Sequence, residues 1–348
     1  LPQNTEIIDR TVLEILKSSA NINKEDLKNL SHMIEAVGAG FQELDKSAVG
    51  YFDIFPDKTD FLYKAEDIND VKIIRKYGFE NVVINIKNIK EFMKSNYCRY
   101  FNGFTTLEVE CNTLKDAVMI LENNDYVDLA SIDCIRMKGL YKQAPYLVKQ
   151  HLEYIRENFR KRIHLSPVNT FNCAGAVCIE GIGSGVDYVT SSFCGKGMGG
   201  GWAALEELIM SSIVIYGKDI EADTEILPQA AHIFQKITGS FIHQQKPVLG
   251  CDIFKCESGI HVDGIYKNPA LYEPYLPETV GKKREIVLGK HSGAAALIIK
   301  LQEMDMDIIN SDKIRLVLDK IREKSITLKG DIRLLDVIKI IEEYNSAV

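Results

Sequence analysis

Residues 162–193 read RIHLSPVNTFNCAGAVCIEGIGSGVDYVTSSF. Arg162–Val168 is a short, mostly apolar strand, Ala174–Ile182 carries small and apolar residues at helical spacing, and Asp187–Phe193 is a second short strand. A helix between two such strands returns the chain to the same end of the sheet, so the strands run parallel with helices outside them. Working outward, the same alternation recurs. Upstream lie the helix Pro145–Arg160, the strand Tyr126–Asp133, the helix Thr113–Glu122 and the strand Asn81–Lys87. Phe41–Asp45 reads as a strand preceded by a helix with Asn23 as its cap and Leu27, Leu30, Ile34 and Val37 at helical spacing. Glu6–Thr11 is the opening strand candidate, and a helix from Trp202 to Tyr216 follows downstream. About eight units in about 245 residues fit a (β/α)8 TIM-type barrel, with an open doubly wound sheet as the alternative.

After Pro247 the texture changes. Residues 247–288 are rich in Gly, Pro and Tyr, and read as an extended linker with functional loops. Three short helices are expected over 292–304, 311–324 and 331–345, with Ser311 as the cap of the second. The expected organisation is a barrel over 1–246, a linker or lid region over 247–288 and a helical subdomain over 289–348.

The 348 residues are 46% hydrophobic and 26% charged, ample for a full core. A net charge of −7 argues against a dedicated nucleic-acid or membrane surface. Apolar runs fall short of the roughly 20 residues a membrane span needs. The N-terminal residues are not of secretory type, so the chain is read as cytoplasmic. The eight cysteines form no C-x-x-C pair and read as buried small hydrophobes in a reducing compartment.

Chemistry-bearing residues concentrate late in the chain. Cys256-Glu-Ser-Gly-Ile-His-Val-Asp-Gly264, Tyr272-Glu-Pro-Tyr-Leu-Pro-Glu-Thr-Val-Gly281 and Leu288-Gly-Lys-His-Ser-Gly293 follow one another. Each alone is compatible with an ordinary turn or helix start. A histidine titrates near working pH, which suits a general acid or base.

In this order and spacing the three segments resemble the S-G-I-H-x-D-G, Y-x-P-x-x-V-G and G-K-H-S-G run of the homocitrate synthase/isopropylmalate synthase family. Ile7-Ile8-Asp9-Arg10-Thr11 resembles that family's opening strand, and Val189–Gly195 with Ala204-Leu205-Glu206-Glu207 resembles its last barrel unit. The resemblance implies joining of acetyl-CoA to a 2-oxo acid held by a divalent metal in the barrel. It also implies a lid whose His and Tyr take part in proton transfer at the acetyl-CoA of a neighbouring barrel. His261 matches that His; Tyr275 matches the Tyr best, with Tyr272 close by. Ser258, Gly259, Asp263, Gly264 and His291 complete the lid motif.

The barrel half departs from the pattern. In the opening motif D-x-T-L-R-D-G-E-Q, Leu13 stands for the Arg and Glu14 for the metal Asp. The H-x-H-N-D motif aligns with Ser166-Pro167-Val168-Asn169-Thr170, without either His. The loop G-x-G-E-R-x-G-N appears as Gly195–Trp202, without its Glu, Arg and Asn. One carboxylate does not make a divalent site, so Glu14 is only a weak metal candidate.

A site-poor barrel with an intact lid resembles the omega-type subunit of the two-subunit homocitrate synthase of nitrogen fixation. That resemblance implies a catalytic alpha-type partner whose barrel holds the metal (Mg, Mn or Zn), acetyl-CoA and 2-oxoglutarate. This chain would bind no cofactor alone and would work in a dimer or larger assembly. Three other readings are carried: a self-sufficient synthase with a metal site relocated to Glu14 and His164, a non-catalytic scaffold or regulator, and a nucleotide-binding loop at Gly195–Gly201.

Overall fold

The computed structural model describes residues 5–19, 21–55, 60–94, 103–124, 129–217, 220–306 and 311–346. The chain divides into two compact units, one of residues 1–243 with 247–249, the other of residues 244–246 with 250–348.

The first unit is a (β/α)8 barrel. Its strands are β1 Glu6–Asp9, β2 Phe41–Leu44, β3 Phe61–Ala65, β4 Asn81–Asn85, β5 Thr105–Cys111, β6 Cys134–Gly139, β7 Arg162–Pro167 and β8 Tyr188–Ser192. All pair in parallel in sequence order, and β8 returns to β1 with Glu6 opposite Tyr188 and Asp9 opposite Ser191. Closure removes both sheet edges, which excludes the open doubly wound alternative. The helix Lys24–Ala36 starts as expected, with the Asn23 side chain accepting from the backbone N–H of Glu25 and Asp26. The helix Leu114–Glu122 begins in a reciprocal Thr113–Asp116 capping box.

Three strands sit where the sequence did not mark them. The expected strand Tyr126–Asp133 is a 3-10 turn at Leu129–Ser131, its start lies outside the described residues, and the strand is β6. β3 and β5 were not marked at all. The cause is shared: β3 carries Lys64, β5 carries Glu108 and Glu110, and β6 carries Arg136 and Lys138, so none reads as an apolar run. Arg136 is nonetheless fully buried.

The second unit has a core of its own, including Val262, Leu288, Leu297, Val317, Ile321 and Ile341. The three late helices are Ala294–Glu303, Ser311–Leu328 and Leu334–Ser346. Residues 247–288 are not an extended linker. They hold the helix Gly259–Lys267 and a short parallel pairing of Lys255–Cys256 with Glu285–Ile286. Glycine density hid that helix, but Val262 and Ile265, three residues apart, are both buried.

Among the described residues the cysteines are free: Cys111, Cys134 and Cys178 are buried, and Cys173 and Cys251 are exposed.

Candidate active site

Active sites of such barrels form at the C-terminal ends of the strands. In the first unit a chain of buried ions crosses the barrel interior, from the middle of β5 and β6 to Arg10 just past β1. Arg10, just past β1, donates from Nε and Nη2 to Glu14 Oε1 at 3.1 and 3.0 Å, and from Nη1 to Glu43 of β2. Arg136 of β6 donates to the other Glu43 oxygen and, at 3.2 Å, to Ser166 Oγ of β7. Glu108 of β5 pairs with Lys64 at 2.9 Å and with Arg136 at 3.5 Å. Trp202 covers the group: its indole N–H donates to Glu14 Oε1 at 3.0 Å, and its ring lies 4.5 Å from the Arg10 guanidinium.

Burial alone would raise the Glu43 carboxyl, but Arg10, Arg136 and Lys64 outweigh it and hold the group well below the usual carboxylate range. Glu108 likewise resists burial and is brought down to about 2 by Arg136, Lys64 and Lys138. Burial lowers Lys64, against the pull of Glu108 and Glu43. His164 lies level with Arg136 in the β6–β7 register and shares a 2.7 Å hydrogen bond between Nε2 and Thr190 Oγ1. Burial, aided by Arg136, pushes its pKa well below the ordinary histidine value, so the ring is neutral. Its Nδ1 has no hydrogen-bond partner among the described residues.

These residues do not fit a divalent metal. Glu14, at the metal-Asp position of the resemblance, is committed to Arg10 and Trp202. Ser166 takes a hydrogen bond from Arg136, and Leu13 is a fully buried apolar side chain that offers no polar group to a ligand. No group of three or more His, Cys, Asp or Glu among the described residues is placed to hold a metal ion. The Gly195–Gly201 loop folds on itself: Trp202 N–H donates to Gly195 C=O at 3.2 Å, and Gly201 C=O accepts from Asn169 N–H at 2.9 Å. The sequence analysis missed Arg10, Glu43, Glu108 and Arg136. The available signal was an ionisable residue inside each of five strands: Glu43, Lys64, Glu108, Arg136 and His164.

In the second unit the lid motifs are built together. Gly259 and Gly293 meet backbone to backbone; a Cβ on Gly259 would lie 2.8 Å from Gly293 Cα. Buried Ser292 accepts from Gly289 N–H at 2.8 Å through Oγ, and its carbonyl accepts from Arg322 at 2.8 Å. His291 is exposed, its backbone N–H donating to Glu257 at 2.5 Å. Ser258 is the N-cap of the helix Gly259–Lys267 without a side-chain capping bond, and Asp263 pairs with Lys267 at 2.6 Å.

His261 is exposed on that helix, its ring 5.5 Å from the ring of Tyr272. Gly264 makes room for that tyrosine, since a Cβ there would lie 2.4 Å from the ring. Tyr275 packs instead edge-on to Phe254 at 5.8 Å. The structure therefore brings His261 together with Tyr272, while Tyr275 belongs to the neighbouring turn. Ile260, Leu271 and Leu276 are also exposed.

The closed barrel and the motif-bearing second unit define the class: a (β/α)8 TIM-barrel protein with a separate C-terminal unit carrying the S-G-I-H and G-K-H-S-G motifs. A family model described as "Homocitrate synthase post-HMGL domain-like" matches residues 248–327. The omega subunit of homocitrate synthase from Clostridium pasteurianum is 32% identical over 344 residues, covering 98% of this chain and 96% of that one. Homocitrate synthase AksA from Methanocaldococcus jannaschii is 40% identical over 163 residues, 45% of this chain and 40% of that one. Among solved structures, hydroxymethylglutaryl-CoA lyase from Pseudomonas aeruginosa shares the barrel fold, with a TM-score of 0.58 at 11% identity over 69% of this chain and 95% of that one. The chain belongs to the homocitrate synthase/isopropylmalate synthase family. Within the described residues no helix is long and apolar enough to cross a membrane.

Proposed function

We propose that this chain is an omega-type subunit of a homocitrate synthase, lending its lid in trans to a catalytic alpha-type partner. One contrast carries the reading. The chain's own barrel mouth is filled by the Arg10–Glu14–Glu43–Arg136 ion chain under Trp202, whereas His261 stands exposed beside Tyr272. The near full-length similarity to an omega subunit supports the same assignment.

In this reading the partner's barrel holds the divalent metal, 2-oxoglutarate and acetyl-CoA. His261 takes or delivers the proton that moves as the acetyl methyl carbon attacks the oxo carbon; water then hydrolyses the resulting thioester, releasing CoA and homocitrate. Tyr272 orients the imidazole by its ring contact. Ser258, Gly259, Asp263, Gly264 and His291 shape and position the segment rather than react.

The test is homocitrate formation from acetyl-CoA and 2-oxoglutarate with added divalent metal, using this chain, an alpha-type partner, and the two mixed. Activity is expected only in the mixture and should fall about 10²–10⁴-fold with His261→Ala, the range a lost general acid or base produces. Turnover by this chain alone would refute the assignment. Full activity of the mixture with His261→Ala would make the chain a scaffold or regulator instead.

A further inference from the structure

Two of the positions that the family resemblance assigns to the metal side of the barrel contact a different cation here. Glu14 stands at the metal-Asp position and Trp202 at the position of the metal-side Asn; the Arg10 guanidinium touches both, hydrogen-bonding the first and lying over the ring of the second. It also bonds Glu43, whose second oxygen goes to Arg136. Arg10 and Glu43 are almost fully buried. Buried carboxylates on adjacent elements repel unless a cation lies between them. A divalent ion meets that need with one or two carboxylates and water; a guanidinium meets it with fixed, directional N–H donors.

We propose that the Arg10 guanidinium occupies the place of the divalent cation in this barrel and neutralises the carboxylates of Glu14, on the helix Thr11–Ser18, and Glu43 of β2, making the barrel a cation-independent scaffold. The site is thus a latent metal site, filled by a side chain. Two consequences follow. The intact chain gains nothing from a divalent ion at the barrel mouth. Removal of Arg10 uncovers Glu14 and Glu43 as a carboxylate pair able to take one. This inference rests on the reading of the barrel as non-catalytic, but its readout is ion binding by this chain alone, so the two fail separately.

The experiment uses the full chain and Mn2+ as the probe, following thermal unfolding and the free-ion electron paramagnetic resonance signal. The unmodified chain is expected to show the same midpoint in Mn2+ and in EDTA, and no ion uptake by the barrel. Arg10→Ala should unfold at lower temperature and recover by about 2–4 °C or more in Mn2+, binding one ion with a Kd below roughly 1 mM. Sodium chloride at equal ionic strength should not substitute. If Arg10→Ala does not fold, it is refolded from urea with Mn2+ or with sodium chloride: recovery with Mn2+ alone supports the proposal, and recovery in both or neither overturns it. The double variant Arg10→Ala/Glu14→Gln should lose the Mn2+ response; a response that persists places the ion elsewhere and overturns the proposal. So does stoichiometric Mn2+ binding by the unmodified chain that Glu14→Gln abolishes.

Discussion

Asp9 ends β1, and its carboxylate accepts the Thr11 backbone N–H at 2.7 Å and the Ser191 hydroxyl at 3.3 Å, at the seam where β8 closes on β1. The side chain is almost fully buried. Burial raises the carboxyl from 3.8 to about 7, with the hydrogen bonds from Thr11 and Ser191 opposing and the charge of Glu206 adding to the rise. A folded-state pKa above the unfolded one means that the folded chain keeps the proton longer. Stability from this group is therefore intact below about pH 3.8, falls as pH rises toward 7, and is fully lost above it.

The displacement corresponds to roughly 4 kcal/mol, of which about 2–3 kcal/mol develops between about pH 5 and pH 8. Asp9→Asn keeps the shape and an acceptor for Thr11 but removes the charge. Urea unfolding of both proteins at the two pH values measures the difference, and carboxylates common to both, such as Glu43 and Glu108, cancel. The variant should gain about 2–3 kcal/mol on its parent in going from pH 5 to pH 8. A difference that does not change with pH would refute the claim that closure of the barrel seals a carboxyl in a low-dielectric seam.

Three further outcomes are expected. Glu43→Gln leaves Arg10 and Arg136 without their shared carboxylate and should destabilise the barrel by about 3–5 kcal/mol in urea unfolding. In the unmodified chain the lowered pKa values of Glu43 and Glu108 add stability that is present above about pH 4.5 and lost as pH falls toward 2, visible as an acid transition in circular dichroism. Gly264→Ala pushes a methyl group into the Tyr272 ring and should disturb His261, lowering turnover of the mixed subunits by about 10²-fold while circular dichroism stays that of the parent.

The barrel was legible because apolar strands and amphipathic helices alternate with a constant period, and local capping residues such as Asn23 and Thr113 mark helix starts without reference to the rest of the chain. The lid motifs were legible because their residues are consecutive. What the sequence left open depends on residues far apart in the chain. Whether β1 meets β8 is a question of closure, which periodicity does not contain. β3, β5 and β6 were obscured because their charges find buried partners on other strands, and burial of a charge depends on a partner that local sequence does not reveal. The departures at Leu13, Ser166 and Val168 showed from sequence that the metal pattern was broken. Only the folded barrel decided what replaced it, because Arg10, Glu43, Arg136 and Trp202 converge only once the strands have closed.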